Sequence, residues 1–293
     1  MQVRLALHAM ATRFELILAG DDPVRLRAAG EDALREIERL DAQLSAYRPS
    51  SELSGVNAKA AAAPVRVEPR VFALLSACVA CSRATDGAFD PTIGPLMRAW
   101  KMAGGPGEVP APEALAMARG VTGERWLTLD ASAHTVRFAR PGVALDLGAA
   151  GKGYAIDRAI DLLREHGVRS ALLHGGTSSV HVIGAPPDDE EGWKVAWTPP
   201  DSARASARVL TLRDRAASIS GQHGKSFVHE GRRYGHVIDP RSGAPVHHTR
   251  AAGVVGPRSC ECDVLSTALL VQGAGWLPSL QAAFPEYVGW TAD

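Results

Sequence analysis

Apolar residues in the first part of the chain follow two different spacings. Phe14, Leu16 and Leu18 lie two residues apart, a spacing that predicts a strand. Asp22 and Pro23 then provide an N-cap residue and a first-turn proline, which indicate the start of a helix. Its apolar stripe recurs at steps of three and four and consists of Leu34, Ile37, Leu40 and Leu44. The pattern therefore predicts a strand followed by a long amphipathic helix.

The rest of the chain predicts short strands mixed with a few helices. We expect a polar loop at residues 47–57 and a helix from Pro69 to about residues 86–87. A glycine-rich turn after residue 147 is expected to lead into a helix that ends at Gly167. The last strong helix is expected to begin near Asp263 and run through Leu270. Strands are predicted at residues 143–147, 168–174, 180–183, 193–197, 209–212 and 254–255. This order indicates an α+β fold with a mixed or antiparallel sheet core flanked by helices.

Length and charge restrict the class of protein further. The 293 residues predict a single domain, with a possible internal boundary at residues 103–112, which are rich in glycine and proline. The chain has 32 basic residues (Lys and Arg) and 32 acidic residues (Asp and Glu), so its formal net charge is zero. The basic surplus expected of a nucleic-acid-binding surface is therefore missing. No apolar run approaches the roughly 18 residues of a transmembrane helix. The amino terminus does not resemble a signal peptide, which predicts a cytoplasmic protein, or a periplasmic one if a leader was removed.

Cysteine spacing gives little support to a metal centre or a disulfide framework. Cys78 and Cys81 fall within a predicted amphipathic helix, and Cys260 and Cys262 follow far downstream. Structural zinc motifs instead use two Cys pairs on turns. Buried or free thiols are the favoured interpretation.

Two segments contain residue types suited to phosphate and metal chemistry. Gly148, Gly151 and Gly153 surround Lys152 at a strand-to-helix junction, where backbone N–H groups and the helix dipole favour an anion. Their spacing matches neither the dinucleotide fingerprint nor the P-loop, so a tight packed turn is the alternative. Asp263 and Thr267 are four residues apart, hence on one helical face, and provide two hard oxygens that suit Mg²⁺. The alternative for Asp263 is a helix N-cap.

Two further segments contain candidate catalytic and ring-binding residues. His236 and Asp239 lie where a predicted strand runs into an Asp-Pro-x-x-Gly turn, and His236 could accept a proton near neutral pH. A turn-forming aspartate and a core histidine are the alternative. Tyr47 and Phe89 fall in irregular segments, where an aromatic ring could cap the core or pack on a flat ligand.

Taken together and in order, these segments resemble the ApbE family of FAD:protein FMN transferases. The matching stretches are residues 10–12 (Met-Ala-Thr), 45–47 (Ser-Ala-Tyr), 51–54 (Ser-Glu-Leu-Ser), Asn57, 86–92 (Asp-Gly-Ala-Phe-Asp-Pro-Thr), 146–148 (Asp-Leu-Gly), 151–157 (Gly-Lys-Gly-Tyr-Ala-Ile-Asp), 175–176 (Gly-Gly), 236–243 (His-Val-Ile-Asp-Pro-Arg-Ser-Gly) and 263–267 (Asp-x-x-x-Thr). They span nearly the whole chain, so the resemblance is far more specific than any one motif.

The resemblance implies a mixed α+β fold that binds FAD, with Mg²⁺ at the pyrophosphate. The implied metal ligands are the Gly151 carbonyl, Asp263 and Thr267. The implied FAD-binding residues are Met10, Tyr47, Asp86, Phe89, Asp90, Lys152, Asp157, Gly175, Gly176 and Thr177, with Tyr47 facing the flavin. The implied reaction moves FMN from FAD to a Ser or Thr hydroxyl of an acceptor protein and releases AMP. For the proton acceptor, we expect His236 first and Asp239 second.

The chain departs from the family pattern at three points. Gly151 stands where Ala is usual, Thr177 follows the double glycine where Asp is usual, and residues 220–223 are Ser-Gly-Gln-His in place of Ser-Gly-Asp-Tyr. These changes touch phosphate and acceptor contacts. They leave a Mg²⁺-dependent FAD pyrophosphatase and a non-catalytic FAD-binding protein as alternatives to the transferase. A nicotinamide dehydrogenase is disfavoured by the glycine spacing.

Overall fold

A computed structural model describes residues 1–102, 104–197, 208–222 and 226–292. The α-helices are α1 (Pro23–Leu44), α2 (Glu52–Lys59), α3 (Pro69–Ala84), α4 (Gly94–Ala99), α5 (Pro112–Gly120), α6 (Gly151–Glu165), α7 (Ser259–Gln272) and α8 (Leu277–Ala283). The strands are β1 (Gln2–Ala9), β2 (Thr12–Ala19), β3 (Val65–Arg66), β4 (Leu127–Asp130), β5 (Thr135–Phe138), β6 (Ala171–Gly175), β7 (Ser179–Ile183), β8 (Trp193–Trp197), β9 (Arg208–Leu212), β10 (Ala216–Gly221), β11 (Ser226–His229), β12 (Arg232–Gly235), β13 (Ala251–Gly256) and β14 (Val288–Ala292). Short 3₁₀ helices cover Glu124–Trp126 and Ala274–Trp276.

A seven-stranded antiparallel sheet in the order β1-β2-β6-β7-β10-β13-β14 forms the centre of the molecule. Helices α1, α6 and α7 pack side by side, α1 against β1 and α7 against β10 and β13. Leu16, Leu18 and Leu173 are fully buried in this core. The prediction of an α+β fold with an antiparallel sheet flanked by helices is confirmed.

The β8–β9 hairpin covers the opposite face of the sheet. Val180, Val182 and Ala217 alternate with the helix-facing positions and form a second apolar cluster with Trp193 and Leu212 of the hairpin. Along β8 the exposed residues Lys194 and Ala196 alternate with more buried ones, as expected of a strand with one packed face. This alternation places Trp197, the last residue of β8, on the packed side of the strand.

The first helix begins as the sequence predicts. Asp22 accepts hydrogen bonds from the backbone N–H groups of Val24 and Arg25, and Pro23 occupies the first turn. Its apolar stripe is buried throughout. The opening segment, however, forms two strands, β1 and β2, joined by a tight turn in which Met10 and Ala11 adopt positive φ angles of 49° and 57°.

Three local expectations differ from the structure. Part of the expected polar loop at 47–57 is helix α2, which Ser51 caps by accepting from the Ser54 N–H. Residues 143–147 form no strand, because the side-chain amide of Asn57 bonds both the N–H and the carbonyl of Leu145 and replaces a neighbouring strand. Helix α7 begins at Ser259, four residues before the predicted start at Asp263.

A smaller apolar cluster lies around α4, α5 and the β11–β12 hairpin. Its buried members are Leu96, Trp100, Met102, Ala118 and Ile238. The expected boundary at 103–112 falls between α4 and α5, both of which belong to this cluster; Ala103 itself lies outside the described residues, as does His223.

All four cysteines are buried and none forms a disulfide. Across the described ranges, no helix combines the length and apolar character needed to cross a membrane.

Candidate active site

A cavity of about 810 Å³ opens at one end of the central sheet. Its wall combines the β1–β2 turn, the segment after α1, the first turn of α6, the turn before β7, the end of β10 and one face of α7. Ten of the predicted site residues line it: Met10, Tyr47, Phe89, Asp90, Gly151, Lys152, Thr177, His236, Asp263 and Thr267. The fold thus brings together residues separated by more than 200 positions in sequence.

Tyr47 extends from the segment after α1 into the cavity and is 57% exposed. Its hydroxyl donates to Asp146 Oδ2 at 2.7 Å, and Asp146 Oδ1 accepts from the Gly148 N–H at 2.8 Å. Burial of the hydroxyl end and the adjacent Asp146 carboxylate raise the pKa of Tyr47 above its ordinary value. A neutral tyrosine is therefore fixed at its polar end while its ring remains open to a ligand.

Asp263 accepts hydrogen bonds on both of its carboxylate oxygens. Oδ1 accepts from the hydroxyls of Ser179, at 2.6 Å, and Ser218. Oδ2 accepts from the Gly153 N–H at 2.8 Å and lies 3.3 Å from Lys152 Nζ. The carboxylate thus bonds a free N–H at the N-terminus of α6, where the helix dipole favours negative charge.

Other hard oxygen donors lie near Asp263. Thr267 Oγ1 lies 3.0 Å from the Asp263 carbonyl and 3.1 Å from Ser220 Oγ, and it lines the cavity together with Gly151 and Asp263. In the described part of the chain no group of three or more His, Cys, Asp or Glu side chains is arranged for a metal ion. One carboxylate plus hydroxyl and carbonyl oxygens nevertheless fits the donor set of Mg²⁺, which uses few protein carboxylates. Lys152 makes the longest contact to Asp263, so it is the contact a cation could replace.

His236 and Asp239 follow β12, but only His236 lines the cavity. It is half-buried there. The Asp239 carboxylate is held by Arg241, with Nε 2.9 Å from Oδ1 and Nη2 3.1 Å from Oδ2, and the Asp239 carbonyl accepts from the Gly243 N–H. Asp239 therefore shapes the turn that follows His236.

The family assignment rests on sequence and structure together. A sequence model of the ApbE family matches residues 10–286. The chain is 32% identical over 274 residues to the FAD:protein FMN transferase of Treponema pallidum, covering 89% of this chain and 75% of that protein. It is 31% identical to that of Klebsiella pneumoniae, covering 81% and 73%.

The chain belongs to the ApbE family. Solved structures agree: the ApbE protein of Thermotoga maritima superposes with a TM-score of 0.91 at 26% identity, covering 99% of this chain and 94% of that one. The apo flavinyl transferase ApbE of Pseudomonas stutzeri superposes with a TM-score of 0.84 at 28% identity, with the same coverages. The resemblance inferred from the motifs is confirmed, and the chain is an enzyme of the flavin transferase class.

Several ApbE motif residues lie away from the cavity and have structural contacts. Asp157 is 1% exposed, and its carboxylate accepts from the N–H groups of Ser259 and Cys260 at the start of α7. The expectation that Asp157 holds the dinucleotide therefore does not fit its position, because both oxygens are used to cap a helix. His181 Nδ1 lies 3.3 Å from the same carboxylate.

Three more predicted FAD-binding residues do not line the cavity. Gly176 has a φ of +64°, and a Cβ there would lie 2.5 Å from Thr12 Oγ1. At Gly175 a Cβ would lie 2.8 Å from the Phe14 ring. Both glycines thus allow the end of β6 to pack tightly. Asp86 is exposed and has a φ of 49°, so it forms part of the turn before Phe89.

Asp90 lines the cavity but is only 5% exposed. Its carboxylate accepts from the N–H groups of Thr92 and Glu124 and from the Thr92 hydroxyl. Burial raises the pKa of Asp90, and these hydrogen bonds oppose the rise. Asp90 thus organises the loop that presents Phe89.

Sequence reasoning missed several residues that line the ApbE cavity or hold the groups that do. Ser179 and Ser218 contact Asp263, and no local motif marks them. Trp197, the last residue of β8, also lines the cavity. The available signal was the spacing of Trp193, Val195 and Trp197, which places all three on the sheet-facing side of β8. Trp197 extends this side past the sheet to the cavity.

Proposed function

We propose that this chain transfers FMN from FAD to a Ser or Thr hydroxyl of an acceptor protein and releases AMP, with Mg²⁺ as the metal. The relatives named FAD:protein FMN transferase support the donor and the type of acceptor. The observation that carries the proposal is the single cavity shared by Tyr47, Lys152, Asp263, Thr267 and His236. The cavity combines an aromatic ring for the flavin, a lysine for phosphate, oxygen ligands for a metal ion, and a proton acceptor.

The proposed reaction is a substitution at the phosphorus of the FMN half. The acceptor hydroxyl oxygen forms the new P–O bond, the bond to the bridging oxygen breaks, and AMP leaves with that oxygen. The hydroxyl proton passes to a base, for which His236 is the first candidate. Because Asp239 is paired with Arg241, we keep it as the second.

The chain's own groups provide most of the required electrostatics. Lys152 and the N-terminal turn of α6 place positive charge and N–H donors beside the cavity, where phosphate charge would lie. The Gly151 carbonyl, Asp263 and Thr267 would hold Mg²⁺. When bound, this ion would neutralise charge on the pyrophosphate. Tyr47 would orient the flavin through its exposed ring.

The test is FAD turnover by the purified chain with Mg²⁺ or EDTA, with and without the acceptor domain of an established flavinylated protein. We expect Mg²⁺-dependent AMP matched by an equal molar gain of FMN mass on the acceptor. AMP without acceptor modification would instead establish the pyrophosphatase. FAD binding with neither product would establish a non-catalytic flavin-binding protein.

His236 is tested within the same assay. His236→Ala is expected to lower the transfer rate by about 10²-fold or more, the usual contribution of a general base. Asp239→Asn serves as the matched variant in the same turn and is expected to retain more activity. Near-full transfer by His236→Ala would remove His236 from the role.

A further inference from the structure

Two serine hydroxyls converge on one oxygen of the Asp263 carboxylate. Ser179 of β7 and Ser218 of β10 are paired residues in the antiparallel register, so their side chains lie side by side on the same face of the sheet. Both are buried, with 3% and 2% exposure, and both donate to Oδ1 of Asp263. The sheet register itself thus directs two donors at a single carboxylate oxygen.

This arrangement makes the two oxygens of Asp263 unequal. Oδ1 has about two acceptor positions, and the two hydroxyls use both. Oδ2 accepts from the Gly153 N–H and contacts the side-chain amine of Lys152 at 3.3 Å. Oδ2 is therefore the oxygen that has a replaceable partner on the cavity side.

We propose that Ser179 and Ser218 are positioning residues that make Asp263 a one-oxygen ligand and so select Mg²⁺ over Ca²⁺. The proposal rests on the proposed metal-dependent function. Mg²⁺ requires near-octahedral geometry with short bonds, whereas Ca²⁺ accepts more ligands and both oxygens of one carboxylate. With Oδ1 held by two hydroxyls, the two-oxygen mode that suits Ca²⁺ is blocked.

A purely structural role for the serines has a different consequence. Hydroxyls that only satisfy a buried carboxylate would, when removed, lower stability and weaken every divalent cation alike. Hydroxyls that hold Oδ1 out of coordination would, when removed, let Asp263 rotate and bind through both oxygens. The ratio of Mg²⁺ to Ca²⁺ affinity separates the two roles.

The experiment measures Mn²⁺ binding to the metal-free full chain by electron paramagnetic resonance, followed by displacement with Mg²⁺ and with Ca²⁺. For the Ser179→Ala/Ser218→Ala double variant we expect Mg²⁺ affinity to fall about 10- to 100-fold, the usual effect of removing groups that orient a ligand. Ca²⁺ affinity should fall much less, so the Mg²⁺ to Ca²⁺ affinity ratio shifts toward Ca²⁺ by most of that factor.

A matched control and single variants keep the test decisive. Ser82 is also buried, at 1% exposure, and its hydroxyl donates to another buried carboxylate, that of Asp90. Ser82→Ala should leave the ratio unchanged. If the double variant does not fold, each single variant, which retains one donor, should show an intermediate shift.

The outcomes also separate this proposal from the one on which it rests. A wild-type chain that binds none of the three cations, whether or not FAD is present, would overturn the metal-dependent function, and this inference with it. A wild-type chain that binds them, with variants that keep the wild-type Mg²⁺ to Ca²⁺ ratio, would overturn this inference alone.

Discussion

Replacing Gly153 by alanine is expected to destabilise the chain, although alanine is the better helix former. Gly153 lies in the first turn of α6 where that helix meets the start of α7. A Cβ at this position would lie 2.3 Å from the Ser259 carbonyl oxygen and 2.7 Å from Cys260 Cα. Both atoms belong to the backbone, so they can move away only if α7 moves as well.

The two opposing effects can be compared in size. Alanine in place of glycine within a helix gains at most about 1 kcal/mol. Overpacking a close contact costs about 1–3 kcal/mol or more, and contacts this short place the cost at the upper end. The expected net loss is therefore about 2 kcal/mol of unfolding free energy.

Urea unfolding followed by far-ultraviolet circular dichroism measures this difference. The matched control is Gly151→Ala, two residues earlier in the same helical turn, where a Cβ meets nothing within 4 Å. That variant should be unchanged or up to about 1 kcal/mol more stable. If Gly153→Ala unfolds at the same urea concentration as Gly151→Ala, the argument from the α6–α7 contact is refuted.

Three further predictions follow from the cavity and from α7. Tyr47→Ala should weaken FAD and FMN binding about tenfold, whereas Tyr47→Phe should keep most of the affinity. The reason is that the hydroxyl is bonded to Asp146, which leaves the ring to contact the ligand. Fluorescence titration with FAD and with FMN measures the affinity of each variant. Trp197→Ala should weaken FAD and AMP binding about tenfold and leave FMN binding intact. Trp197 lines the same cavity, and because Tyr47 is proposed to orient the flavin, we expect Trp197 to contact the AMP half of FAD. A loss confined to FMN binding would contradict this. Burial raises the pKa of Glu261, and its Oε2 is buried without a hydrogen-bond partner among the described residues. Because the folded state favours the protonated carboxyl group, it loses stability as the pH rises through that pKa. Glu261→Gln should therefore raise the thermal unfolding midpoint by a few degrees at pH 8 and hardly at pH 4, and an equal gain at both would contradict the assignment.

Elements with strong local signals were predictable from sequence. The start of α1 depends on Asp22 and Pro23, which act on residues next to them in the chain. Helix α2 was missed because it buries only Leu53 and Val56, too few for an apolar stripe, and its cap is a single serine. Residues 143–147 have the apolar pattern of a strand, but their partner is the side chain of Asn57. Local patterns do not reveal such a distant partner.

The motifs identified most of the cavity but could not assign a role to each residue. Asp157 shows why. A carboxylate that binds a ligand and one that caps a helix look alike in sequence, and the N–H groups it accepts from belong to Ser259 and Cys260, more than 100 residues away. The same contact accounts for the early start of α7, whose first turn is capped from α6 and needs no N-cap signal of its own.

Position and orientation of Asp263 depend on different neighbours, and the proposed variants separate them. Gly153 determines how close α7 can approach α6, so an added Cβ displaces the carboxylate together with its helix. Ser179 and Ser218 belong to the sheet and hold one oxygen of that carboxylate without contributing to the α6–α7 contact. Gly153→Ala should therefore weaken Mg²⁺ and Ca²⁺ binding in parallel, whereas removal of the two serines should change their ratio. Cation titrations of both variants under one set of conditions would show whether the geometry of this site is determined by helix packing, by the sheet register, or by both.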